Sequence, residues 1–107
     1  MNNLLKKEIV KNWFKSLQSS ICAEIEKIEG KKNLLKSKRW KRSSKNDEGG
    51  GEFHILENGK IFEKVGVNFS EVYGKFSKDF RKQLPGTNKS SNFWASGISV
   101  VMHMQNP

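Results

Sequence analysis

Few side chains in this 107-residue chain can carry acid–base, nucleophilic or metal chemistry: His54, His103 and the single cysteine, Cys22. His103 stands at the tip of a run dense in β-formers, residues 98–102, which reads as a buried strand; an Asn-Pro turn signal follows at Asn106-Pro107. Period-two alternation places Ser99, Val101 and His103 on one face of that strand and Ile98 and Val100 on the other. A divalent metal asks for about three or four ligands, so taken alone His103 reads as a polar strand end. His54 falls in a hairpin opposite Glu63, a pairing that is usually structural. Cys22 has no histidine near it in sequence and sits beside the apolar stripe of a helix, as a packing residue rather than a nucleophile. One cysteine allows no internal disulfide, and nothing here points to an oxidising compartment.

Charge supplies a second kind of chemistry. The net charge is +9, and residues 31–45, "KKNLLKSKRWKRSSK", hold eight Lys or Arg and no acid. Such a block attracts phosphates or carboxylates. Trp40, among Arg39, Lys41 and Arg42, could stack on a base or cover an aromatic ring. The bland alternative is a solvated, mobile basic connector. Charge alone leaves nucleic acid, an acidic membrane surface and a polycarboxylate ligand all open. The glycine run at residues 49–51 predicts a mobile loop or a close backbone approach to a ligand, and it lacks the Gly-Lys-Ser/Thr ending of a phosphate loop.

These residues need a scaffold. Leu5, Ile9, Phe14, Leu17, Ile21, Ile25 and Ile28 recur at helical steps, predicting a helix over residues 3–29 closed by Gly30. At 1.5 Å per residue it would be about 40 Å long, a length that suggests a large sheet beneath it. Asn58-Gly59 is a preferred two-residue hairpin turn. It predicts strands at 53–57 and 60–65, with Leu56 facing Ile61, Ile55 facing Phe62 and His54 facing Glu63. Residues 66–74 read as extended, residues 77–84 as a short helix capped by Ser77 and ended by Pro85-Gly86, and the final strand follows. The order is that of an α+β domain with antiparallel pairing, spanning residues 1–107 and incomplete, since three or four strands cannot cover so long a helix. No signal peptide and no membrane-span window are apparent, so the default expectation is a soluble, cytoplasmic protein.

The motif order "GGGE…FEKVGVNFSEVYG…FRKQLPG…FWASGISVVMH…NP" resembles the amino-terminal part of the oxygen-dependent coproporphyrinogen-III oxidases, in their alphaproteobacterial form. The resemblance implies homodimers built on a large, flat antiparallel sheet flanked by helices. It implies oxidative decarboxylation of two propionates of coproporphyrinogen III to vinyl groups, giving protoporphyrinogen IX in haem synthesis. O2 is the acceptor, no organic cofactor is needed, and a divalent metal such as manganese is the candidate ion. Carried over residue by residue, Ser99 matches a substrate contact and His103 a metal ligand, while Asn68 and Ser70 fall in a matched, cleft-lining segment. A basic surface with interleaved aromatics suits a tetracarboxylate macrocycle, which removes the main reason to prefer nucleic acid.

The chain departs from the family where Met104 replaces a proline after His103. The catalytic histidine and the further metal and substrate residues of the family lie downstream of Pro107, so no catalytic residue is assigned here. The expectation is therefore the front part of a longer enzyme, left by truncation, gene decay or design and inactive alone. Two alternatives are a basic nucleic-acid-binding module, and half of a split enzyme acting with a separately encoded carboxy-terminal half.

Overall fold

The computed structural model describes residues 2–75 and 92–106. A single helix, α1 (Asn3–Glu29), precedes four strands, β1 (Lys36–Lys41), β2 (Gly49–Glu57), β3 (Phe62–Lys75) and β4 (Asn92–Met104). The strands form one antiparallel sheet in the order β1-β2-β3-β4, so the α+β class is as expected. The short helix expected at residues 77–84 lies outside the described residues.

Both ends of α1 follow from local chemistry. Asn2 Oδ1 accepts the Leu5 N–H at 2.8 Å, satisfying an orphan donor of the first turn. Gly30 takes the left-handed conformation (φ 77°) and returns its N–H to the Glu26 and Lys27 carbonyls, a geometry that a residue with a Cβ resists. The buried line along the helix, however, is Gln18, Cys22 and Ile25. Leu5, Ile9 and Ile28, expected in the stripe, are about half exposed. The apolar positions drift around the helix, and polar anchors fix which side goes down. Gln18 Nε2 donates to the carbonyls of Glu52 (2.8 Å) and Val67 (3.0 Å). The Glu29 carboxylate accepts from the N–H groups of Lys60, Ile61 and Phe62. Beneath the helix the core gathers Cys22, Ile25, Leu56, Phe62, Val65 and Val67, with Ile21, Leu34, Leu35, Ile61 and Ile98 against it.

Four expectations are corrected. The basic connector holds a strand: β1 runs through its middle, with Trp40 opposite Gly51. The glycine run is no mobile loop either but the start of β2. A Cβ on Gly50 would stand 2.1 Å from the Trp40 carbonyl oxygen, and one on Gly51 1.9 Å from that of Phe69. Glycine is required because two neighbouring backbones pass that close. The hairpin is wider than two residues, with Leu56 opposite Val65, Ile55 opposite Gly66 and His54 opposite Val67. Glu29 draws the N–H groups of residues 60–62 away from the ladder, and Asn58 N–H closes the loop on the Glu63 carbonyl at 2.8 Å. Because the register moves by an even number, Leu56 still faces the core.

β4 is also longer than expected and is not buried. Val100, Val101 and Met102 are 39%, 54% and 45% exposed. Among the described residues β4 is an edge strand with one neighbour, and α1 contributes its buried residues to the middle of the sheet. No helix among the described residues is long and apolar enough to cross a membrane.

Candidate functional site

The register sorts the sheet into two unlike faces, because directly opposed residues share a face. Under α1 lie Leu56, Val65, Val67, Phe69 and Ile98, the large side chains of the sheet's middle. The opposite face carries the rows Gly51–Ser70–Gly97, Phe53–Asn68–Ser99 and Ile55–Gly66–Val101. Three of those nine positions are glycine and two are serine, so the centre of this face is a shallow floor. A Cβ on Gly66 would meet nothing nearer than Phe53 Cε1 at 3.9 Å, and one on Gly97 nothing nearer than Ser70 Oγ at 3.9 Å. Open space, rather than crowding, sits above these two glycines.

Aromatic and cationic groups surround the floor. Trp40 lies against Gly51, its ring edge within 2.8 Å of where a Cβ would be, and donates Nε1–H to Asn68 Oδ1 at 2.9 Å. Arg42 lies 5.1 Å over the Phe93 ring and donates to the Tyr73 carbonyl at 3.1 Å. Lys36 and Lys38 of β1 are opposed to Ile55 and Phe53 and so belong to this face. They border a cleft of about 590 Å³ with Leu34, Ile55 and Glu57. Period-two spacing at 36, 38, 40 and 42 was the sequence signal for this arrangement.

Ser99 and His103 fall on this same face, as the alternation predicts, and both are exposed. Ser99 is opposed to Asn68, with Ser70 in the next row, so these three expected residues come together. His103 is opposed to Lys64 at the far end of the sheet. An ammonium across the ladder is a poor neighbour for a bound cation. Among the described residues no group of three or more His, Cys, Asp or Glu gathers that could hold a metal ion. The described residues by themselves do not make a metal centre.

The other titratable candidates lie elsewhere. His54 is on the helix-covered face, 3.8 Å from Glu52 and 3.5 Å from Ser37 Oγ, a local polar network. Burial, with Glu26 near by, pushes the Cys22 thiol up to about 11; a protonated, enclosed thiol is no nucleophile. The N–H groups of Phe62, Ile61 and Lys60 hold the Glu29 carboxyl below its ordinary value. Tyr73 is raised, chiefly by its hydrogen bond to Asp47.

A larger cleft, about 620 Å³, opens on the helix side between Lys11, Lys15, Arg39, Lys41, Asp47 and Glu71. It contains neither Ser99 nor His103, and its carboxylates are engaged: Glu71 with Lys11 (3.4 Å), Asp47 with Tyr73, and Glu52 beside His54 (3.8 Å). What favours the opposite face is that it brings Asn68, Ser70 and Ser99 together on a floor poor in side chains, with Lys36 and Lys38 at its border. The glycine-floored face is the better candidate.

Known proteins speak to the same chain. The family described as Coproporphyrinogen III oxidase matches residues 9–107. The oxygen-dependent coproporphyrinogen-III oxidase of Rickettsia bellii (strain RML369-C) is 45% identical over 109 residues, covering 98% of this chain and 39% of the relative. Those of Rickettsia felis and Rickettsia typhi are each 44% identical, covering 94% and 98% of this chain and 38% and 39% of the relatives. The chain thus spans about two-fifths of the length of the curated relatives it matches. With the family's pattern running through all four strands, this chain belongs to the coproporphyrinogen III oxidase family.

Proposed function

We propose that this chain supplies the floor and one border of the substrate site of an oxygen-dependent coproporphyrinogen oxidase. The observation that carries this reading is the pairing of a side-chain-poor floor, Gly51, Gly66, Gly97, Ser70 and Ser99, with the cations Lys36 and Lys38 at its margin. A broad macrocycle needs a surface without protruding side chains. Its four carboxylates need donors and positive charge around the margin. Nucleic acid has less support, because the basic residues of β1 divide between two faces: Lys36 and Lys38 on one, Arg39 and Lys41 on the other.

The reaction proposed for the complete enzyme converts each of two propionates, –CH2CH2COOH, with one O2 into –CH=CH2, CO2 and H2O2. The part this chain plays is binding and orientation. Ser99 and Asn68 offer hydrogen bonds at the centre of the floor, and the β1 lysines attract the acid side chains. An acid–base group for the chemistry belongs to polypeptide beyond this segment, supplied in the same chain or by a separately encoded half. A divalent ion at His103 would equally need ligands from outside the described residues. A homodimer and a cytoplasmic location are part of the same proposal, supported by the family alone.

The test uses coproporphyrin III, the stable oxidised macrocycle, titrated against the chain by fluorescence quenching. Saturable binding that is weakened by Lys36→Glu/Lys38→Glu is expected, with no vinyl product from coproporphyrinogen under air above the enzyme-free rate. Absence of binding would overturn the floor assignment, and turnover would overturn the division of labour.

A further inference from the structure

The hydrogen bond between Trp40 and Asn68 fixes more than a contact. An indole Nε1–H can only donate, so the Asn68 atom 2.9 Å away must be the carboxamide oxygen. That assignment follows from donor–acceptor logic and leaves no freedom for the amide to flip. The Asn68 NH2, which has no partner among the described residues, is then turned away from Trp40. It stands on the glycine floor directly opposite Ser99. Two N–H donors are held in one direction, on the row that Asn68 shares with Ser99.

Donors of that kind select an acceptor. A pyrrole N–H cannot be met by an NH2 group, whereas a carboxylate oxygen can. We infer that Asn68 is a substrate-carboxylate contact and that Trp40 is the positioning residue that keeps its NH2 aimed at the ligand. The inference rests on the proposed function and deepens it by dividing the work between neutral donors at the centre and cations at the border. Trp40 is itself locked. Gly51 gives its indole room, since a Cβ there would stand 2.8 Å from the ring. Glycine at 51, tryptophan at 40 and asparagine at 68 thus form one chain of cause across three strands.

The test titrates two probes, coproporphyrin III and its tetramethyl ester, against the wild-type chain, Asn68→Ala, Asn68→Asp, Trp40→Phe and the Trp40→Phe/Asn68→Ala double variant. Loss of a hydrogen bond to a charged group should weaken coproporphyrin III binding about ten-fold or more in Asn68→Ala. Asn68→Asp, nearly isosteric and so a control for folding, should weaken it further by repulsion. Trp40→Phe should weaken binding several-fold in the wild-type background and add nothing once Asn68 is alanine. The ester, whose carbonyls are neutral and weaker acceptors, should lose clearly less than coproporphyrin III to Asn68→Ala.

Wild-type binding of coproporphyrin III with no effect of Asn68→Ala or Asn68→Asp would overturn this inference and leave the proposed function standing. An equal effect of Trp40→Phe in both backgrounds would overturn the positioning role. Failure of the wild-type chain to bind coproporphyrin III would overturn both readings together.

Discussion

Replacing Gln18 tests what holds the helix on the sheet. The residue is 4% exposed, at the amino-terminal end of the helix's buried line, and its Nε2 makes two hydrogen bonds, 2.8 Å to Glu52 O and 3.0 Å to Val67 O. A buried intramolecular hydrogen bond contributes about 0.5–1.5 kcal/mol net, and stranding a buried acceptor costs about 1–3 kcal/mol. Gln18→Leu, which keeps the volume and removes both donors, should therefore cost about 1–3 kcal/mol. Gln18→Ala should cost about 2–4 kcal/mol, since it also gives up methylene packing at about 0.8 kcal/mol per CH2. Ile25→Ala, 2% exposed on the same line, is the apolar reference at about 2–5 kcal/mol. Urea unfolding followed by far-UV circular dichroism gives all three on one scale. If Gln18→Leu matched or exceeded the wild type while Ile25→Ala paid its full cost, apolar packing alone would seat the helix and the polar-anchor account would be wrong.

Three further outcomes follow from particular groups. Cys22, with its thiol raised to about 11 by burial, should resist a thiol reagent at pH 8 until denaturant opens the chain. Because its folded value lies above the ordinary 9.0, its contribution to stability is full below pH 9 and is lost as pH rises toward 11; labelling as fast as in the unfolded chain would contradict this. Glu29 is shifted the other way by the three N–H groups it accepts, so its contribution is present at neutral pH and is lost as pH falls below the ordinary carboxylate value through the lowered one. Glu29→Gln should flatten that acid limb in a pH series of thermal melts. Finally, β4 exposes Val100, Val101, Met102 and Met104 and has one neighbour among the described residues, and unpaired apolar edges associate. Light scattering should show concentration-dependent self-association that Met102→Lys reduces; a monodisperse monomer at high concentration would count against it.

Several features were legible without coordinates because their causes are local. The bounds of α1 depend on Asn2 at one end and Gly30 at the other, each acting within a few residues of itself. The α+β class and the common face of Ser99, Val101 and His103 needed only the two periodicities of helix and strand. The family pattern was readable for a similar reason, since it is a sequence of motifs. Chain order alone also identified the extended stretch that became β3.

What the tertiary structure decided is which neighbours those local elements meet. Residues 36–41 look solvated in isolation and become β1 because β2 offers a ladder to pair with. The glycines at 49–51 look flexible and are in fact confined, since Trp40 and Phe69 carbonyls stand where side chains would be. The hairpin register shifted because Glu29, about thirty residues away in sequence, claims the N–H groups that a two-residue turn would have used. No window of sequence contains both partners of such contacts. By itself the sequence determined the long helix, the α+β class, the family and the shared face of Ser99 and His103. Only the fold set Asn68 between Trp40 and Ser99 and left His103 beside Lys64, because hydrogen bonds and charge act through space, and space is set by pairing between residues far apart along the chain.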